Sequence, residues 1–427
     1  MLSTLRNAWK IEELRKKIIF TLFVLLLYRI GNAIPVPFVN IDLLQNYFTS
    51  LEDTVLGFYN VLSGDAFASA TIFALSIQPY INASIIIQLL CIAIPALERM
   101  AKEEGEEGKK KINDITRYST IGLGLLMGFG YFWLIKSNSL LVDGAGVWEG
   151  IVIVLTFTAG SALIMWLGEQ ITEFGIGNGI SMILFASIVS RVPTSLYQSI
   201  TSIGAGTLKW WSLVLILIGA LVMIVLIVVV NNSERRIPVQ YSKRVVGRKM
   251  YGGQATHLPM KVNMSGVLPI IFAQSITSLP ATIAALVGAN TDGAFMRLFS
   301  TTSLFYALIY LLLIIFFSYF YSTIQFNPIE VANNLKRNGG FIPGYRPGKP
   351  TSEFIQKVLN KITLFGAIFL SIVAVAPIVI SHFSDAAANA GISLGGTSII
   401  IVVGVALETF TALENQMLMR HYKGFLD

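Results

Sequence analysis

The sequence predicts an all-α integral membrane protein with about ten membrane-crossing helices. Three observations carry that prediction: 54% of the 427 residues are hydrophobic, 13% are charged, and bilayer-length apolar runs recur along the whole chain. A soluble domain is about 25% charged. A surface this poor in charge would leave broad apolar patches in water. The mean hydropathy of +0.68 points to lipid as the solvent.

A helix needs roughly 20 mostly apolar residues to cross hydrocarbon. Such runs lie near 18–35, 74–97, 118–136, 150–168, 179–197, 210–231, 264–288, 303–325, 363–382 and 396–416. The second and fifth are the most polar, holding Pro79, Asn82 and Gln88, or Ser181 and Ser187. The basic then apolar N-terminal stretch has no small-residue cleavage site after it and reads as a retained anchor.

Positive charge sets the orientation. With both termini in the cytoplasm, 26 of the 31 Lys and Arg residues fall on the inner side. The five left over are Arg29, Lys136, Arg191, Lys209 and Arg297. The net charge of +7 follows from the inner loops and needs no nucleic-acid partner.

Several functional classes are excluded. The single cysteine, Cys91, permits no disulfide within the chain, and three scattered histidines make no metal site. No metalloprotease, hydrolase or nucleotide-loop motif occurs. The run Gly175-Ile176-Gly177-Asn178-Gly179 opens a span instead of following a strand, so it is not a nucleotide loop. Ionisable groups within the spans are few, with Glu169 and Glu408 toward inner ends. That weighs against an ion-coupled solute carrier built from inverted repeats, the main rival reading.

The chain divides at a Gly/Ser/Thr-rich segment into residues 1–205, with five spans, and 206–427, with five more. The two halves have opposite orientations. In each, the second span holds proline and amides: Pro79, Asn82, Ser84 and Gln88 in one, Pro269, Gln274, Ser275, Thr277 and Pro280 in the other. Prolines that interrupt matching helices of inverted halves point to a transport path. Two long inner loops, 232–263 and 326–361, are basic enough to meet a polyanion or an acidic protein. In the second, Pro343-Gly344-Tyr345-Arg346-Pro347-Gly348 frames Arg346 as a fixed hairpin tip.

An ordered set of short runs resembles the SecY/Sec61-alpha family along essentially the whole chain. These are Arg29-Ile30-Gly31, Ile34-Pro35-Val36-Pro37, Ser63-Gly64, Pro79-Tyr80-Ile81, Ala83 to Leu90, Gly168 to Glu173 with Gly175 to Ser181, Thr256 to Pro259, Lys261-Val262-Asn263, Asn327-Pro328, Arg346-Pro347-Gly348 and Gly395 to Ser398. The resemblance implies a passive protein-conducting channel, not an enzyme, with no cofactor. Two pseudo-symmetric inverted five-helix halves would form an hourglass. Its aliphatic ring would be Ile77, Ile81, Ile180, Leu184, Ile271 and Ile401, with Leu184 where isoleucine is usual. Ile77/Ile81 and Ile180/Leu184 have the spacing that shares a helix face. A plug would span about 55–70, with Asn60, Ser63, Gly64, Asp65 and Phe67; Asp65 replaces the usual second glycine. Asn82, Gln88, Asn263, Gln274 and Thr277 would supply hydrogen bonds at a lateral gate.

Arg244, Arg248, Lys249, Lys336, Arg337 and Arg346 would meet the SecA ATPase or the ribosome. The implied partners are SecE, a SecG-like subunit, SecA, the ribosome, signal peptides, nascent membrane proteins and lipid, in a bacterial plasma membrane. The orientation is directly testable. In a Cys91-replaced background, Gly247→Cys, Gly339→Cys and Gly424→Cys should each be labelled by a membrane-impermeant maleimide only from the cytoplasmic side. Labelling of any one from outside sealed cells reverses the topology.

Overall fold

In a computed structural model the chain is described at residues 6, 8–49, 55–102, 104–142, 144, 146–206, 209–241, 244–246, 249–251, 255–264, 266–287, 303–383 and 396–423. Its first half holds α1 (Glu12–Gly31), α2 (Ile41–Thr49), α3 (Val55–Ser63), α4 (Gln78–Ala93), α5 (Pro95–Lys102), α6 (Gly105–Ser137), α7 (Val147–Phe174) and α8 (Gly179–Gly204). Then come α9 (Trp210–Asn232), strands β1 (Glu234–Tyr241), β2 (Arg244–Val246), β3 (Lys249–Tyr251) and β4 (Ala255–Lys261), and α10 (Leu268–Val287). The chain continues through α11 (Leu304–Gln325), α12 (Pro328–Arg337), β5 (Gly340–Phe341), α13 (Lys349–Phe383) and α14 (Gly396–Lys423).

Among the described residues, seven helical stretches are long and apolar enough to cross a membrane, and the bent pair α4–α5 makes an eighth. Helices α1 and α10 occupy the first and seventh predicted positions. All ten predicted spans therefore fall on helices, and the chain is a multi-pass membrane protein. Lipid offers no hydrogen bonds to a backbone, so each crossing must satisfy its own peptide groups.

Two prolines read as interruptions are helix starts. Pro79 and Pro269 are each the second residue of their helices. Proline is well tolerated there because a first-turn N–H has no intrahelical acceptor to lose. The break in the second span comes at its other end, where Ile94 is extended ahead of Pro95 and the axis turns by 107°. Pro280 does lie inside α10, as expected.

The sequence also reads α4 as beginning too early. Residues 64–77 are consecutive turns, with φ of +67° at Gly64, +70° at Asp65, +41° at Ala70 and +49° at Ser76. These turns reach the interior of the helix group. A Cβ on Gly160, midway along α7, would stand 1.9 Å from the carbonyl oxygen of Ile72. Glycine there is what lets irregular backbone press against a membrane helix.

The chain is mostly helical, as the sequence predicts, and the basic side adds short strands. The 232–263 segment folds back on itself, with β1 antiparallel to β4 from Glu234↔Lys261 to Gln240↔Ala255. Strand β5 adds to the other edge of β1. Period-two burial explains the strand: Ile237 and Val239 are buried while Arg236, Pro238 and Gln240 are exposed. They join Met260, Leu335, Ile342, Ile355 and Leu359 in a small core of their own. Asn327 caps α12, its side-chain oxygen accepting the N–H groups of Ile329 and Glu330. Helix α13 begins in this subdomain and runs 35 residues into the predicted ninth span.

The main core joins helices from both ends of the sequence, including Tyr28, Ile81, Ile164, Leu184, Ile270, Tyr310, Phe317 and Ile401. Polar pairs stitch it together. Gln274 donates to the Tyr306 hydroxyl at 2.8 Å, Tyr310 meets Thr397 at 3.0 Å, and Ser322 meets Thr363 at 2.9 Å. Lipid tails are as apolar as leucine, so packing and such bonds hold helices together in place of the hydrophobic effect.

Candidate functional site: a throat, a turn and a gate

Four helices bring one aliphatic side chain each to a common point. Ile81 of α4, Leu184 of α8, Ile271 of α10 and Ile401 of α14 line a cavity of about 10 Å³. That is room for about one water. Tyr59 and Leu62 of α3 line the same space, as do Gln78, Gln274, Ser275 and Thr397. The other two predicted ring residues are not on this wall. Ile77 is fully buried at the N-cap of α4. Ile180 packs toward Gly168 of α7, 3.3 Å from where a Cβ would stand.

All five predicted plug residues meet in one hydrogen-bonded turn after α3. Asn60 accepts from the Ala68 N–H at 2.8 Å and donates to Asp65 Oδ1 at 3.0 Å. The Ser63 hydroxyl accepts from the Phe67 N–H at 3.0 Å. The ring of Phe67 stacks on Tyr131 at 4.2 Å, and the Tyr131 hydroxyl donates to the Phe67 carbonyl. Helix α1 holds the turn from one side. Tyr28 and Asn32 donate to the Ser63 carbonyl, and Arg29 to that of Gly64. Helix α8 holds it from the other, with Arg191 Nε 3.0 Å from Asp65 Oδ1.

Gly64 and Asp65 are both left-handed. Glycine takes that conformation freely, whereas an L side chain there costs about 1–2 kcal/mol, tolerated best by Asn and Asp. A Cβ at Gly64 would also lie 3.1 Å from the Ser187 carbonyl oxygen.

Of the five predicted gate residues, one joins the two groups of helices. Gln88 of α4 accepts a 2.8 Å hydrogen bond from the Tyr321 hydroxyl of α11 while donating to Ser84. The others bond elsewhere. Asn82 approaches Met127 Sδ at 3.9 Å, Gln274 pairs with Tyr306, Thr277 bonds back to Ala273, and Asn263 pairs with Asn231 at 2.9 Å. Beside this seam an apolar cavity of about 250 Å³ runs between α4, α6 and α10, with Asn82 on its wall.

On the basic side, Arg346 is exposed in a rigid turn between β5 and α13, not at a β-hairpin tip. Its carbonyl accepts from Thr351 at 2.8 Å, Gly344 and Gly348 have φ of +88° and +106°, and Tyr345 stacks on Phe354 at 4.2 Å. Lys336 and Arg337 are exposed in the last turn of α12. Arg244 and Lys249 lie on the short β2–β3 pair, and Arg248 lies outside the described residues. The Gly175–Gly179 run is a helix reversal, with Asn178 capping α8.

The SecY family's sequence profile matches residues 71–410. The protein translocase subunit SecY of Streptomyces scabiei is 42% identical over 440 aligned residues, with 100% of each chain covered. The chain belongs to the SecY family. A solved structure described as that of a protein conducting channel covers 94% of this SecY-family chain and 92% of its own, with a TM-score of 0.68 at 17% identity. Sec61 in the canine ribosome–channel complex gives 0.64 at 16% identity, covering 94% and 92%. The described aliphatic cavity, turn and α4–α11 seam thus sit in a fold shared with channels.

Sequence reasoning missed Tyr321 in this SecY-family chain. The available signal was a tyrosine at membrane depth, whose hydroxyl needs a partner when buried. Nothing in the sequence said that the partner is Gln88, 233 positions away. A double-mutant cycle with Tyr321→Phe and Gln88→Leu should give a coupling of about 0.6–1.7 kcal/mol, the range for membrane hydrogen bonds. Reversible unfolding in mixed micelles measures it, and additivity within error would show that the bond does not couple α4 to α11.

Proposed function

We propose that this chain is the channel subunit of a bacterial Sec translocase, passing unfolded proteins across the plasma membrane. The observation that carries this reading is the meeting of Ile81, Leu184, Ile271 and Ile401 around room for about one water. Branched aliphatic groups offer a passing polypeptide no hydrogen bonds, and a narrow apolar constriction excludes ions by dewetting.

In this reading Ile77 and Ile180 stand behind the ring and complete it as the throat widens. The turn after α3 is the plug. The halves 1–205 and 206–427 part along the α4–α11 seam, where Gln88, Asn82, Gln274, Thr277 and Asn263 hold or release the gate. Each such bond is weak in a membrane, so an apolar signal peptide entering the seam can shift the balance and pass into lipid. The basic side faces the cytoplasm, with both termini there. SecE and a SecG-like subunit complete the complex, and SecA or the ribosome supplies the energy. The Arg346 turn, with Lys336, Arg337, Arg244, Arg248 and Lys249, is the docking face for those motors. The ribosome-bound state of the canine relative supports that assignment.

Ile81→Gly and Ile401→Gly should each raise resting ion conductance in planar bilayers, and Asp or Lys at these positions should raise it further. Unchanged conductance for Gly at several ring positions would remove the throat. The docking face has its own test. Arg346→Glu should slow SecA-driven import of a preprotein into vesicles by about tenfold or more, as expected for a lost charge-assisted bond of about 1.5–3 kcal/mol. Arg346→Lys should be intermediate, because it keeps the charge and loses the bidentate fork. Wild-type import by Arg346→Glu would leave the loop's charge as a topology signal alone.

A further inference from the structure

Five basic residues escape the charge asymmetry that orients the chain, and two of them converge on one place. Arg29 of α1 donates to the Gly64 carbonyl at 3.2 Å. Arg191 of α8 stands 3.0 Å from the Asp65 carboxylate. Two helices that are far apart in sequence therefore place cations on either side of the Ser63–Asp65 turn. Both cations carry the cost of standing where the positive-inside bias does not favour them.

Asp65 shows a matching tension. Its φ of +70° is one that a glycine would adopt without strain. A non-glycine outlier of this kind persists where something else holds it, and such outliers cluster at switch regions. What the carboxylate adds is two contacts, Asn60 Nδ2 at 3.0 Å and Arg191 Nε at 3.0 Å.

The Arg191 contact is unlike a structural brace. Arg117 grips Glu169 with two directed hydrogen bonds of 2.9 Å each, joining α6 to α7. Arg191 Nε is as close to its carboxylate, yet its N–H has no aligned acceptor. Charge proximity holds the pair, without the directional bonds that resist shear. The pair also borders a polar cavity of about 240 Å³, shared with Gln45, Thr194 and Gln198. Asp65 remains 42% exposed against 15% for Arg191, so water and ions reach the acidic partner first.

We infer that Asp65 and Arg191 form a charge latch that fastens the turn after α3 to α8 and biases the channel toward its closed state. The inference rests on the reading of that turn as the plug. An undirected pair at the edge of a water-accessible cavity can part without leaving several broken hydrogen bonds. Displacement of α3 also withdraws Tyr59 and Leu62 from the throat, so the latch adds to the α1 hydrogen bonds that keep the seal in place.

The test is the resting conductance of the purified full-length channel in planar bilayers, with Ile81→Gly as the reference for a broken seal. Asp65→Asn and Arg191→Gln should each raise resting conductance at least about fivefold, the change that about 1 kcal/mol produces. The double variant should leak no more than the worse single, because both remove one interaction. Asp65→Gly separates charge from backbone: it relieves the left-handed strain and should still leak. A tight Asp65→Gly, or a double variant whose leak multiplies the two singles, overturns the latch. Leak by Ile81→Gly with silent latch variants also overturns it and leaves the throat standing. Silence in all of them removes the throat reading, and the latch with it.

Discussion

A peptide group in hydrocarbon must find its hydrogen bonds within the protein, and the rest of this structure depends on that constraint. Helices meet it residue by residue. The exception is the run of turns from Gly64 to Ser76, which reaches the middle of α7 at Gly160. Its backbone is satisfied locally and by neighbours: Thr71 donates to Ala66, Ile72 to Ile34, Ala74 to Thr71 and Ser76 to Phe73. Phe73, Ala74 and Leu75 are buried, so protein and not lipid surrounds the irregular segment. Non-helical backbone at this depth is tolerated only where protein or a cavity encloses it. The enclosure leaves α3 lying against the throat, held by side chains instead of by continuous helix.

That arrangement separates two kinds of holding force. Apolar packing among Ile81, Leu184, Ile271 and Ile401 has no direction, so the side chains can slide apart and re-form contact without a preferred registry. The hydrogen bonds from Tyr28, Asn32 and Arg29 to the Ser63 and Gly64 carbonyls are directional and fix one position of the turn. A yielding seal beside a located turn suits a throat that must close around many shapes and return to one.

Much of this architecture was legible in the sequence. Hydrophobic length placed each predicted span on a helix because the bilayer imposes one thickness on them all. The five residues that the resemblance grouped as a plug do lie together, because Asn60, Ser63, Asp65 and Phe67 are close in sequence and bond to one another within one turn. Legibility failed where partners are distant. Whether Pro79 breaks a helix or begins one depends on the turns before it, and Gln88 found its partner in α11. Strand β1 was hidden because Pro238 and the flanking arginines mask a period of two that only Ile237 and Val239 display. The family resemblance put Ile77 and Ile180 on the ring, whereas Ile77 is buried at the N-cap of α4 and Ile180 packs toward Gly168 of α7.

On the channel reading proposed above, the 107° corner between α4 and α5 would give the α4–α11 seam a lever. Helix α5 leaves the axis of α4 nearly at a right angle, with Glu98 and Arg99 on its turns. A segment this charged resists being pulled into hydrocarbon, so the corner at Pro95 would serve as a fulcrum. Positions along α4 then travel in proportion to their distance from it. At 1.5 Å per residue Ile81 lies about 20 Å out and Gln88 about 9 Å. A tilt of about 10° would move the first by about 3 Å and the second by half as much. The throat would open by a methyl group's width while the bond to Tyr321 was only stretched, so conduction of ions and release of the seam need not occur at the same angle.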